Sequence, residues 1–121
     1  MANILIIEDD DQLRTMLREM LERIGYKITE ARNGNEGIER YRENPADLVI
    51  TDIIMPEKEG VETIIELKRD FPDVNIIAIS GGGRVPAEEY LRMVEKLGAK
   101  RTLVKPFIRE KLLEAVKDLI G

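Results

Sequence analysis

The chain contains no cysteine, no histidine and no tryptophan, and only 4% of its residues are aromatic. Without cysteine and histidine it can form no disulfide, no thiolate nucleophile, no imidazole general base and no zinc site of the usual nitrogen and sulfur ligands. Carboxylates, hydroxyls and lysine amines are the side chains that remain for chemistry. A catalytic or metal-binding site in this protein must therefore be built mainly from oxygen ligands.

An excess of positive charge is also missing, because 19 basic residues stand against 24 acidic ones and the formal net charge is −5. This balance disfavours binding to nucleic acid phosphates. No apolar run approaches the roughly 20 residues that span a bilayer, and residues 1–7 lack the basic start of a signal peptide. We therefore expect a cytoplasmic protein with neither membrane insertion nor direct nucleic acid binding. A length of 121 residues predicts one domain, residues 1–121, with no output domain.

Short apolar runs without alternation predict strands that are buried on both faces of a parallel sheet. The candidate strands are residues 4–7, 27–31, 48–50, 76–79 and 102–104. Apolar residues at helical spacing follow each of them, in residues 13–24, 35–43, 61–69, 86–97 and 112–120. Strand and helix therefore alternate five times. This alternation predicts an α/β fold with helices on both faces of one parallel sheet.

The first helix has the clearest periodicity, and Gly25 follows it where a helix should stop. Its apolar stripe consists of Leu13, Met16, Leu17, Met20, Leu21 and Ile24. Full burial of this stripe predicts a stabilisation of roughly 9 to 18 kcal/mol. Asp10 and Asp11 precede the stripe, and we expect them to cap the first amides of the helix.

Polar residues follow four of the five predicted strands: Glu8 and Asp9 the first, Asp52 the third, Ser80 the fourth and Lys105 the fifth. Ligands of an open parallel sheet bind beyond the carboxyl ends of its strands, so these are the candidate site residues. Carboxylates about 5 Å apart repel by roughly 3 kcal/mol per pair at an effective dielectric constant near 20, which requires a compensating cation. Oxygen ligands alone favour Mg²⁺. Together with a lysine ammonium and a serine hydroxyl, Mg²⁺ would form a pocket for a phosphoryl group.

In combination these residues resemble a response regulator receiver domain of two-component signalling. The matching features are the pair Glu8-Asp9, the run Asp52–Pro56 with Gly60 after it, Ser80, and the run Lys105–Phe107. They occur in the order and at the spacing of that family, over nearly the whole chain. The resemblance implies a flavodoxin-like, doubly wound parallel sheet of strand order 2-1-3-4-5 with five helices.

The resemblance also implies a phosphorylation site. Asp52 would accept a phosphoryl group from a sensor histidine kinase or a histidine phosphotransfer protein, and would lose it by slow self-catalysed hydrolysis. Glu8, Asp9, Asp52 and the carbonyl oxygen of Ile54 would hold Mg²⁺. Ser80 and Lys105 would contact the acyl phosphate, and the peptide bond from Lys105 to the next residue would be cis.

Movement of Ser80 is expected to change a surface made by the fourth helix, fifth strand and fifth helix, and so to alter docking to an unidentified protein target. Family members usually carry an aromatic residue three positions before the lysine, whereas this chain has Thr102 there. We therefore expect the switch to act through the backbone of residues 80–84. By resemblance, the kinase would dock on the outer face of the first helix, which carries Gln12, Arg14, Arg18 and Glu22.

Three other functions remain open at this stage. A small Mg²⁺-dependent phosphatase could use Asp9 as its nucleophile with Asp11, although Gln12 and Leu13 follow where such a motif prefers threonine or valine. A flavin-binding electron carrier has the same topology, but acids after the first strand would repel the flavin phosphate. A receiver-like binding module that accepts no phosphoryl group would keep the fold without the chemistry. Mapping a phosphoryl label to Asp52 or Asp9 separates the switch from the phosphatase.

Overall fold

A computed structural model describes residues 2–53, 60–80, 87–105 and 107–121, with Ser80 and residues 87–91 described by their backbone alone. The elements are β1 (Asn3–Ile7), α1 (Asp11–Ile24), β2 (Lys27–Ala31), α2 (Gly34–Glu43), β3 (Leu48–Asp52), α3 (Gly60–Asp70), β4 (Ile76–Ser80), α4 (Ala87–Leu97), β5 (Arg101–Val104) and α5 (Arg109–Ile120). Every predicted strand and helix is present. Within the described ranges, no helix combines the length and the apolar character that crossing a membrane requires.

The five strands form one parallel sheet in the order β2-β1-β3-β4-β5, which confirms the expected topology. Ile7 at the end of β1 pairs with Ala31 of β2 and Thr51 of β3. Asp52 at the end of β3 pairs with Ile79 of β4. The register therefore aligns the carboxyl ends of the strands along one edge of the sheet.

Two hydrophobic clusters cover the two faces of the sheet, which explains why the strand sequences are continuously apolar. Ile4 and Ile6 of β1 pack in a cluster with residues of α1 and α5. Leu5 and Ile7 point to the opposite face, in a cluster with residues of α2, α3 and α4. All five residues of β3 are buried, as expected for the central strand.

The apolar stripe of α1 is buried only in part. Leu17, Met20 and Leu21 are buried, whereas Met16 and Ile24 are 50% and 49% exposed. The stabilisation from this stripe is therefore smaller than the roughly 9 to 18 kcal/mol that full burial would give. The predicted stop is confirmed, because Gly25 takes the left-handed conformation (φ 114°) that ends many helices.

Candidate functional site

The carboxyl edge of the sheet brings together the site residues predicted from the strand ends. Glu8 and Asp9 follow β1, Asp52 is the last residue of β3, and Lys105 follows β5 directly. The backbone of Ser80 ends β4 and pairs with Val104. Parallel pairing thus makes neighbours of residues that are up to 97 positions apart in the chain.

Glu8, Asp9 and Asp52 form an acidic cluster in which one carboxylate oxygen from each residue lies within 4.8 Å of the others. Glu8 and Asp52 are 1% and 4% exposed, while Asp9 is open to solvent. Two carboxyl groups are therefore held at the floor of the site and one at its rim. A ligand that enters from solvent meets Asp9 first.

Lys105 provides a positive charge inside this cluster. Its Nζ atom donates hydrogen bonds to Asp52 Oδ2 at 2.6 Å and to Glu8 Oε1 at 3.3 Å. The requirement for a compensating cation is thus met in part by the protein itself. The reason is geometric, since β5 lies two strands from β3 and its lysine side chain extends back over the sheet edge.

The burial of these charges shifts their proton equilibria. Burial, and then the negative charge of Asp52, raise the pKa of Glu8 to about 7, against the lowering effect of the Asp10 amide and Lys105. Burial of Lys105 acts to lower its pKa, but the hydrogen bond and charge of Asp52 outweigh burial and raise it. The lysine therefore stays a cation, and Glu8 is the group that relieves the repulsion by binding a proton.

We expect Glu8 to make the metal-free protein less stable as the pH rises. Its pKa is about 7 in the folded protein, against an ordinary 4.5, so folding takes up a proton between these pH values. The free energy of unfolding should fall by about 3 kcal/mol through this window and level off above it. The glutamine of the Glu8→Gln variant stays neutral, so the variant should lack this fall in the free energy of unfolding.

Urea unfolding in EDTA at a series of pH values measures the effect. As the pH rises from about 5 to about 8, the free energy of unfolding of the Glu8→Gln variant should increase relative to that of the wild type. Parallel curves for the two proteins across this range would contradict the prediction.

The donor set of the acidic cluster fits Mg²⁺. It consists of carboxylate oxygens, and no imidazole or thiolate exists anywhere in the chain to favour a softer metal. Two carboxylates are buried at fixed positions and the third faces solvent, which leaves room for the water ligands that Mg²⁺ retains. The fourth predicted ligand, the carbonyl oxygen of Ile54, lies outside the described residues, as does the proline after Lys105.

The four consecutive acidic residues after β1 have different roles. Asp10 is the N-cap of α1, and its Oδ1 atom accepts hydrogen bonds from the amides of Gln12 and Leu13 at 2.9 and 3.2 Å. Asp11 opens the helix and forms an ion pair with Arg14. The expected capping role at the start of α1 is thus confirmed for Asp10, and only Glu8 and Asp9 of this run join the cluster.

Arg14 was predicted to lie on the outer face of α1, but its side chain turns toward the sheet. Its side chain is 12% exposed, and its Nη1 atom donates a hydrogen bond to the backbone carbonyl of Glu8 at 2.8 Å. Arg18 likewise turns to β2, where it pairs with Glu30 at 3.0 Å. The spacing of Asp11 and Arg14, three residues apart on one helix, is a sequence signal for their ion pair only. The inward contacts of Arg14 with Glu8 and Glu30 have no such local signal.

Gly60 is part of the motif that carries the family resemblance, but the sequence offered no physical reason for a glycine at this position. It begins α3, and its amide donates to the carbonyl of Ile53 at 3.1 Å. A Cβ atom at this position would overlap with the carbonyl oxygen of Asp52 and the Cα atom of Ile53. The absence of a side chain lets α3 begin directly against the end of β3, where Asp52 is held.

Thr102, the predicted switch residue, is half-buried on β5 and donates a hydrogen bond from Oγ1 to Glu95 of α4 at 3.4 Å. This contact joins two of the elements that form the expected output surface. The glycines after β4 lie outside the described residues.

Comparison with known proteins agrees with this geometry. The family model of the response regulator receiver domain matches residues 4–117. The response regulator receiver protein CpdR of Brucella abortus is 41% identical over 125 residues, covering 100% of this chain and 99% of that protein. The chemotaxis protein CheY of Halobacterium salinarum is 34% identical over 117 residues, covering 97% and 95%.

A solved structure adds a likeness in three dimensions. The response regulator TrrA of Thermotoga maritima, crystallised in complex with Mg²⁺ and BeF, superposes with a TM-score of 0.87 at 32% identity, covering 99% of this chain and 100% of that one. Sequence, fold and site thus lead to the same family. The chain belongs to the response regulator receiver domains, the phosphorylation-controlled switches of two-component signalling.

Proposed function

We propose that Asp52 accepts a phosphoryl group from a phosphohistidine of a sensor histidine kinase or a histidine phosphotransfer protein, and that Mg²⁺ is required. The observation that carries the proposal is the position of Asp52, a buried carboxylate with the Lys105 ammonium at 2.6 Å inside an acidic cluster. A buried nucleophile beside a fixed cation is suited to bind a transferred phosphoryl group whose charge develops on its oxygens.

The reaction would be an in-line displacement. A carboxylate oxygen of Asp52 attacks the phosphorus, the phosphorus–nitrogen bond breaks, and the donor imidazole departs with its electron pair. The product is an acyl phosphate on Asp52. Water later attacks this group, which releases inorganic phosphate and restores the carboxylate. Lys105 donates a hydrogen bond to Asp52 before transfer and would afterwards neutralise a phosphoryl oxygen, with the hydroxyl of Ser80 as the second contact.

Mg²⁺ would be held by Glu8, Asp9, Asp52 and the carbonyl oxygen of Ile54. When bound, the ion supplies positive charge against the incoming phosphoryl oxygens and orients them toward the nucleophile. The Mg²⁺-BeF complex of TrrA supports this assignment, because that relative shares the fold over its whole length. Glu8 binds a proton more readily than an ordinary glutamate, so metal binding near neutral pH is expected to release that proton.

The phosphoryl group would be read out as a change in docking to a downstream protein. Ser80 would move toward the new oxygens, and Thr102 lies on the neighbouring strand with a hydrogen bond to α4. We propose that the resulting change at α4, β5 and α5 is the signal. We propose that this switch operates in the cytoplasm.

Mass measurement after incubation with acetyl phosphate tests the proposal. In the presence of Mg²⁺ the protein should gain the mass of one phosphoryl group, and fragmentation should place that group on the peptide that contains Asp52. EDTA should prevent the gain. A label on the peptide that contains Asp9 would instead support the phosphatase, and no label under any condition would support the binding module.

A further inference from the structure

Arg14 has an unusually complete set of partners for a residue one turn into a helix. All three nitrogens of its guanidinium are engaged: Nη1 with the carbonyl oxygen of Glu8 at 2.8 Å, Nη2 with Asp11, and Nε with Glu30 at 3.4 Å. The side chain is 12% exposed. An arginine with a partner at each guanidinium nitrogen and little exposed surface is held in position, so it can in turn hold the groups that it contacts.

The contact with Glu8 is to the backbone and not to the carboxylate. A cationic donor on a carbonyl oxygen is one of the stronger protein hydrogen bonds. The peptide group that it holds joins Glu8 to Asp9, the two acidic-cluster residues that follow β1. The orientation of this one peptide plane sets the directions in which both carboxylates leave the backbone.

The other two partners of Arg14 connect the Glu8 carbonyl to β2 and α1. Glu30 lies on β2, which pairs with β1 along its whole length, and Glu30 also accepts from Arg18 Nη1 at 3.0 Å. Asp11 opens α1, so its ion pair with Arg14 spans the first turn of the helix. The loop between β1 and α1 is thus held from the sheet and the helix through one side chain.

We propose that Arg14 is a positioning residue for Mg²⁺ binding, which presents the carboxylates of Glu8 and Asp9 in the geometry that the ion requires. This inference rests on the proposed function, because it assumes that the acidic cluster is the metal site. Mg²⁺ demands near-ideal ligand geometry, so a small rotation of the Glu8–Asp9 peptide costs affinity. Residues that orient metal ligands typically change affinity by about 10- to 100-fold when they are removed.

The chain offers a matched control in Arg18. Arg18 lies one turn further along α1, has the same charge and also pairs with Glu30. Among the interactions of the described residues, it makes no contact with the loop after β1. If Arg14 acted only through its charge near the acidic cluster, removing either arginine would have a comparable effect. Arg14→Lys is the second comparison, because lysine keeps the charge but lacks the three-sided geometry.

Calorimetric titration with Mg²⁺ alone, on the full chain at constant ionic strength, tests the inference. We expect Arg14→Gln to weaken the affinity by about tenfold and Arg14→Lys to give an intermediate loss. Arg18→Gln should remain within about twofold of the wild type, because its charge is screened from the site by solvent. In EDTA, the amide nitrogen resonance of Asp9 should move in both Arg14 variants and stay in place in Arg18→Gln.

The possible outcomes distinguish the role of Arg14 from the proposed metal site on which it depends. A wild type that binds no Mg²⁺ overturns the proposed metal site and the role of Arg14 together. A wild type that binds Mg²⁺ while Arg14→Gln binds equally well, or while Arg18→Gln loses as much, overturns only the role of Arg14. Should Arg14→Gln fail to fold in EDTA, Arg14→Lys decides, and wild-type affinity in that variant overturns the inference.

Discussion

Replacing Asp52 with asparagine should abolish phosphoryl uptake from acetyl phosphate. The variant keeps the size and burial of the side chain but replaces the carboxylate with an amide, which is not a nucleophile toward phosphorus. We expect the phosphorylation rate to fall by at least about a thousandfold, which is typical when a covalent nucleophile is removed. Intact mass measurement over time gives the rate for wild type and variant.

Asp9→Asn is the control that separates a nucleophile from a metal ligand. Asp9 is exposed and would act through Mg²⁺. The phosphorylation of Asp9→Asn should therefore be slow at low Mg²⁺ concentration, and its rate should partly recover when the concentration is raised. Asp52→Asn should not recover at any concentration. A phosphoryl mass that persists in Asp52→Asn, or rescue of that variant by Mg²⁺, would contradict the assignment of the nucleophile.

Gly60→Ala should both destabilise the protein and slow phosphorylation. In an open helix this change would stabilise by about 1 kcal/mol, because alanine has the better helix propensity. Here the new methyl group overlaps with the backbone of Asp52 and Ile53, which cannot rotate away as a side chain would. Such overpacking typically costs about 1 to 3 kcal/mol, so we expect a net loss of stability.

The same overlap displaces the end of β3, where Asp52 is attached. A misplacement of about 1 Å at a reacting group can cost on the order of a hundredfold in rate, so the phosphorylation rate of Gly60→Ala should fall by tenfold to a hundredfold. Urea unfolding and the time course of mass gain measure the two effects on one sample.

Val116→Ala serves as the matched control for lost stability. Val116 is fully buried on α5, in the cluster on the opposite face of the sheet from α3, and its truncation should cost about 1 to 3 kcal/mol. Its phosphorylation rate should match the wild type under conditions where both are folded. If Val116→Ala slows as much as Gly60→Ala, the rate effect is a result of stability and not of the position of Asp52.

The electrostatics of the site suggest how it is prepared for its ligand. Lys105 is bonded to Asp52 and Glu8, so one cation holds two of the three carboxylates of the acidic cluster. Burial and the charge of Asp52 nevertheless raise the pKa of Glu8 to about 7, against the lowering effect of Lys105. A divalent ion and a phosphoryl group would supply the remaining partners, the first for the carboxylates and the second for the lysine.

Much of the site could be predicted because it follows from local pattern and topology. Continuous apolar runs marked the buried strands, and parallel strands place their carboxyl ends at one edge. The residues after those runs, such as Asp52 and Lys105, were therefore expected at the same edge of the sheet. The capping role of Asp10 could also be predicted, since it depends only on the residues next to it.

Three features could not be predicted because they depend on distances between separate elements. The inward turn of Arg14 requires Glu30 of β2 at the right height beside α1. The overlap at Gly60 depends on how closely α3 approaches β3. The exposure of Met16 and Ile24 depends on how far neighbouring elements extend over α1.

By itself, the amino-acid sequence determined the fold class, the strand order through its family resemblance, and which oxygen and amine groups stand at the functional edge. Hydrophobic spacing and the order of residues along the chain contain that information. The tertiary structure alone decided how the charges are balanced: that Lys105 bonds Asp52 and Glu8, that Glu8 attracts a proton, and that Arg14 supports the loop. Electrostatic and packing energies change steeply over a few ångströms, and a linear pattern does not specify distances on that scale.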